Sequence, residues 1–143
     1  MSRSGSDPAT EALQTALAAE HAAVFVYGAL GGQTSESATP GLFTAITTAY
    51  DLHRERRDTL EQMVRTAGAD PVPAEPGYDL PADLGGAAVP ARARELEQAA
   101  AATYAFLVGS TTGPTRAWAV AALTDAAVRG LGFGARPELF PGL

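Results

Sequence analysis

The sequence predicts an all-α protein, a four-helix bundle of two hairpins joined by one long crossover, and three observations carry that prediction. Four segments open on the same punctuation, Asp7-Pro8, Thr39-Pro40, Val89-Pro90 and Gly113-Pro114. Proline at the first helical position forfeits no hydrogen bond and presets φ, and Asp, Thr or Gly just before it can cap the helix. Alanine, the strongest helix former, fills all four segments, and none shows sustained period-two alternation of β-branched residues. The links between segments are unequal, about eight, then about 22, then about three residues, and short links force antiparallel neighbours.

The first helix is expected over 8–31, stopped by Gly31-Gly32. Its positions Leu13, Leu17, Glu20, Val24, Tyr27 and Gly31 are spaced alternately by four and three, the seam of a packed helix. The second, 40–67, stops at Gly68 and places Phe43, Ile46, Tyr50, His53, Arg57, Leu60 and Val64 on its stripe. The segment 68–89 carries Pro71, Pro73, Pro76 and Pro81. It should run extended at ~3 Å per residue, enough to cross a bundle ~35–40 Å tall. Two hairpins joined by one long crossover is the ferritin-like pattern; a surface excursion of the same segment is the alternative.

The third helix, 90–110, offers Ala93, Glu97, Ala100, Tyr104 and Leu107 on one seam. The phase Arg92, Leu96, Ala99, Thr103, Phe106 is at least as apolar, and on it Glu97 is solvated. The fourth, 114–131, stops around Gly130 or Gly132 and offers Trp118, Ala121, Asp125, Val128 and Gly132. The tail 132–143 is too rich in glycine and proline for helix. Phe133, Leu139, Phe140 and Leu143 give it apolar anchors with which to dock on the bundle.

A length of 143 residues with 46% hydrophobic content suits one domain with a single core. The absence of cysteine excludes disulfide frameworks, thiolate metal sites and cysteine nucleophiles. A net charge of −6, with arginine as the only cationic residue besides histidine, argues against a phosphate-tracking surface and hence against nucleic acid. No run approaches the ~18 apolar residues of a membrane span. "MSRSGSDPAT" lacks an apolar h-region, so the expectation is a cytoplasmic protein with no membrane partner.

Glu20 interrupts an otherwise apolar helix and lies about twelve residues before the first turn, while His53 lies about thirteen after it; both therefore sit ~18–20 Å down the bundle. Arg57, one turn beyond His53, is the natural counterion for an inward Glu20, with the Tyr27 and Tyr50 hydroxyls completing a buried polar cluster. His21, about 100° round the helix from Glu20, packs at a flank. Arg54, Arg56, Asp58 and Glu61 fit a solvated face, and Trp118 fits the core.

In "LAAEHAAVFVYGAL", "HRERRDTL" and the terminal "FPGL" the chain resembles the ferritin-like superfamily, and more narrowly the uncharacterised family designated domain of unknown function 4439. Metal-active members of the superfamily place a Glu on the first and third helices and a Glu-x-x-His on the second and fourth. The resemblance maps Glu20, His53, Glu97 and Asp125 onto that set. Tyr50 stands where the second helix should carry its Glu, and Val128 where the fourth should carry its His. The expectation is an incomplete di-metal site, no cofactor, and a non-catalytic binding or interaction domain, with a small-molecule ligand or a homodimer as partners. The alternative is an iron- or manganese-binding protein with residual redox activity. No phosphate loop, nucleotide fingerprint or Ser/His/Asp constellation points elsewhere.

Overall fold

Proline opens every long helix, and in a computed structural model that describes residues 7–143 the helices are α1 (Pro8–Gly31), α2 (Pro40–Thr66), α3 (Val89–Ser110) and α4 (Gly113–Gly132). A single 3₁₀ turn, Gly86–Ala88, leads into α3. The residues before the prolines make no side-chain capping bond, so fixed φ alone marks these starts. Thr39 turns its hydroxyl back to Ser35 and staples the α1–α2 link instead.

Two apolar layers fix the helix directions. At one end Leu13, Leu17, Leu60, Val64, Tyr104, Leu107 and Ala119 pack together; at the other, Tyr27, Leu30, Ile46, Val89, Ala93 and Phe133 do. The start of α1 thus meets the ends of α2 and α3. Helices α1 and α3 are antiparallel, the two tight links lie at opposite ends, and the segment 67–88 has to travel the length of the bundle. Its route follows α1. Gln14 clamps its start, donating to the Asp70 carbonyl at 2.7 Å and accepting from the Val72 N–H at 2.8 Å. His21 Nε2–H donates to the Val72 carbonyl at 3.0 Å, Phe25 meets the Tyr78 ring at 5.5 Å, and Gly86 arrives beside the Gln33 carbonyl. His21 is accordingly a pin for the crossover. Among the described residues no helix is long and apolar enough to cross a membrane.

The tail corrects one expectation. Phe133 is buried, but Leu139, Phe140 and Leu143 are exposed and anchor nothing. The segment is seated through Gly142, whose φ of +84° and close approach to the Ala101 carbonyl leave no room for a Cβ. Backbone fit replaces the apolar side chains.

Helix α4 corrects a second. Its buried positions are Ala119, Ala122, Ala126 and Gly130, the first three each one residue on from the predicted Trp118, Ala121 and Asp125, while Val128 faces outward. The run "WAVAALTDAAV" is apolar on nearly every face, so it offers no contrast from which to read a phase.

Candidate functional site

At mid-height the two apolar layers are separated by a polar one. Glu20 of α1, His53 of α2 and Glu97 of α3 are all buried, with the imidazole held between the carboxylates. His53 Nδ1–H donates to Glu20 Oε2 at 2.5 Å and Nε2–H donates to Glu97 Oε1 at 2.9 Å. Both acceptors are carboxylate oxygens, so both ring nitrogens act as donors, which only the imidazolium can do. Burial would lower the His53 pKa, but its hydrogen bonds to Glu20 and Glu97, with the charges of those carboxylates, outweigh it and raise it from 6.5 to about 9.

Two phenols close the ends of this line. Tyr104 of α3 donates to Glu20 Oε1 at 2.6 Å, and Tyr27 of α1 donates to Glu97 Oε1 at 2.6 Å. Burial first, and the neighbouring carboxylate second, push both phenols well above the ordinary tyrosine range, so they stay protonated donors. The Tyr27 ring also stacks on the His53 ring at 5.1 Å, setting a π face against the cation.

A second tier lies beside the first. Arg56 of α2 donates to Asp125 of α4 at 2.7 Å, with its guanidinium 5.3 Å from the Tyr104 ring centroid. Arg129 reaches the same carboxylate at 3.2 Å and brings its Nε within 3.8 Å of Glu97 Oε1. The carboxylates Glu20, Glu97 and Asp125 are therefore matched by the cations His53, Arg56 and Arg129. This balance is what lets so many ionisable groups share an interior.

Three sequence expectations change here. Glu97 is fully buried, so the seam through Ala93 and Tyr104 is the one used, and the outward phase leaves Phe106 60% exposed. Arg57 is not the counterion: it turns outward to Asp58 at 2.8 Å, and Arg56, read from the sequence as solvated, takes the interior. Tyr50 makes no bond to the array; it lies half-buried under the Arg54 guanidinium, and Tyr104 supplies the hydroxyl instead. The last two errors share one cause. At about 100° per residue, Tyr50 and Arg57 lie about 60° and 40° to one side of His53, whereas Ala49 and Arg56 lie about 40° and 60° to the other. Helix α2 turns that second side inward, toward Tyr104 and Asp125.

Of the four residues mapped onto a metal set, Glu20, His53 and Glu97 meet and Asp125 does not join them. Their chemistry does not fit a metal. Both His53 nitrogens are engaged as donors, Asp125 is held by the guanidinium groups of Arg56 and Arg129, and Arg129 also borders Glu97. Among the described residues no three His, Asp or Glu groups are arranged to hold an ion.

Arg56 and Arg57 offer a direct check. Arg56→Ala should cost about 1–2 kcal/mol, because it removes a buried guanidinium from its half-exposed partner Asp125 and uncovers the Tyr104 ring. Arg57→Ala should stay within about 0.5 kcal/mol. Urea denaturation of both variants decides it, and equal losses would contradict the placement of α2.

A family model, described as a domain of unknown function (DUF4439), matches residues 12–143. The solved structure of a conserved hypothetical protein from Mycobacterium tuberculosis, rv2844, is 30% identical, covering 91% of this chain and 97% of that one, with a TM-score of 0.82. No curated protein matches the sequence. The family match takes in the crossover, Glu20, His53, Glu97 and the terminal Phe-Pro-Gly-Leu: the chain belongs to the DUF4439 family.

Proposed function

We propose that this protein is a ferritin-like bundle in which a hydrogen-bonded Glu20–His53–Glu97 array occupies the place of a di-metal centre, and that it works as a non-catalytic binding domain. One observation carries the reading: the single inward histidine is spent on two carboxylates. A metal ligand must offer a lone pair, and an imidazolium has none. Arg56 and Arg129 add fixed positive charge beside the same carboxylates, which opposes a dication and satisfies the groups that would recruit it. The array then serves to hold helices from both hairpins at one level, leaving the surrounding surfaces to bind.

Long-range ¹H–¹⁵N correlation spectra of His53 at pH 7 test this directly. Both ring nitrogens should resonate as protonated donors, and excess Fe²⁺ or Mn²⁺ should change neither that spectrum nor the melting temperature. Stoichiometric metal uptake with loss of a ring proton from His53 would overturn the proposal.

A further inference from the structure

The outer face of the second hairpin is left bare. On α3 and α4 it presents Phe106, Val120, Val128 and Leu131, and beside them the tail presents Leu139, Phe140 and Leu143, all between 43% and 93% exposed. These residues form one patch. Phe106 and Val120 flank the Thr111-Thr112 link at neighbouring levels, each within about two turns of it. Ala102, one turn from Phe106, lines a cavity of about 360 Å³ between α3, α4 and the tail, and Val128, Leu131 and Leu143 line it too. Taking ~150–200 Å² for each side chain fully bared, the exposed fractions amount to on the order of 800 Å², more than a monomer ordinarily leaves to water and equal to one partner's share of a standard interface.

Charge indicates what the patch meets. Between Gln98 and Val128 the only charged residues are Arg116 and Asp125, and each is engaged within the chain, Arg116 at the Val108 carbonyl and Asp125 at Arg56 and Arg129. The first hairpin, by contrast, exposes Asp51, Arg54, Glu55, Asp58 and Arg65 along α2. In a chain of net charge −6, two copies repel through most of their surface, and this face is where they approach without that cost. Arg136 and Glu138, at the cavity mouth, are opposite in sign and enter no ion pair among the described residues.

We propose that the α3–α4 face and the tail bind a second copy of this chain in a two-fold dimer, in which Phe140 of each copy enters the cavity of the other. A two-fold interface brings one patch against itself, so it needs knob and hole on the same surface. Phe140 is the knob, exposed and anchoring nothing in its own chain. The hole beside it is walled by Ala101, Ala102, Ala127 and Leu131, an apolar socket of mostly small side chains. Across the axis Arg136 of one copy faces Glu138 of the other, twice, so the rim charges are complementary only in the pair. Such a dimer gives the proposed binding domain its partner and rests on that reading, but the two fail separately: mass reports the dimer, and the ring protons of His53 report the array.

Sedimentation velocity of the full 143-residue chain over ~1–100 μM tests the dimer. The expected mass is twice 14.6 kDa, with a dissociation constant in the micromolar range or below. Phe140→Asp and, independently, Val128→Asp should each raise that constant at least about 30-fold with unchanged helical circular dichroism, and Leu80→Asp, on the crossover, should leave it unaltered. Arg136→Glu and Glu138→Arg should each weaken self-association by setting like charges at the rim, and the two variants should associate with each other when mixed. A monomer throughout the range, an assembly larger than two, a dimer that survives both aspartates or is broken equally by Leu80→Asp, or no gain on mixing the charge variants would each overturn the assignment.

Discussion

Replacing His53 by leucine should destabilise the protein by about 3–5 kcal/mol, the loss expected when one partner is removed from a buried ionic group and the others remain. Leucine roughly fills the space, so the effect isolates charge and hydrogen bonding from cavity formation. Glu20 would keep only Tyr104, Glu97 would keep Tyr27 and the more distant Arg129, and no cation would lie between the two carboxylates. The measurement is the urea midpoint at pH 7 with an unchanged m-value. A loss below about 1 kcal/mol would show that the array is not a charge-coupled unit of the core.

Stability should also fall as the solution becomes alkaline, and the sign follows from the direction of the His53 shift. The imidazole binds its proton more tightly in the folded chain, with a pKa near 9 against an ordinary value of 6.5. The resulting stabilisation is present in full below pH 6.5, declines between there and about 9, and is gone above that. Its size is on the order of 3 kcal/mol. Denaturation curves at pH 6, 7.5 and 9.5 would trace the decline, and in the His53→Leu variant this component of the slope should vanish. A wild-type profile that is flat across this window would mean that His53 is neutral in the native state.

Much of this architecture is legible in the order of the amino acids. Proline punctuation marks the helix starts because φ is fixed by covalent chemistry, and link lengths indicate the topology because a two- or three-residue turn admits only an antiparallel neighbour. Glu20 and His53 follow from distance to the turn, which is arithmetic on the helical rise. Rotation about the helix axes is what the sequence does not convey. Arg56 and Arg57 are adjacent cations in a run of charges, and only the position of α4 decides which is interior. Tyr104 falls on the predicted seam, but its bond to Glu20 joins residues 84 apart in sequence and depends on how the hairpins dock. Arg129 carries no signal of its own because it flanks the buried Gly130 rather than sharing its face. Glu97 is the instructive case. Its buried seam is poorer in apolar side chains than the rival phase, and it is selected because His53 and Tyr27 provide donors that the rival phase would forgo.

The crossover is long enough to reach from one end of the bundle to the other with slack, so it does not dictate how far α3 slides along α1. Alanine-rich faces resist such sliding weakly, since one methyl step looks much like the next. The polar layer supplies the missing detent. A slip of one helical turn, 5.4 Å, would carry Glu97 away from His53 and Tyr27 and Tyr104 away from Glu20, breaking every bond between the hairpins in that layer together. Because the first hairpin owns Glu20, Tyr27 and His53 and the second owns Glu97 and Tyr104, neither half can satisfy all of its own buried groups. Each hairpin thus reads the vertical position of the other, and the register of the whole molecule is set by a handful of oxygen and nitrogen atoms instead of by the chain that connects them.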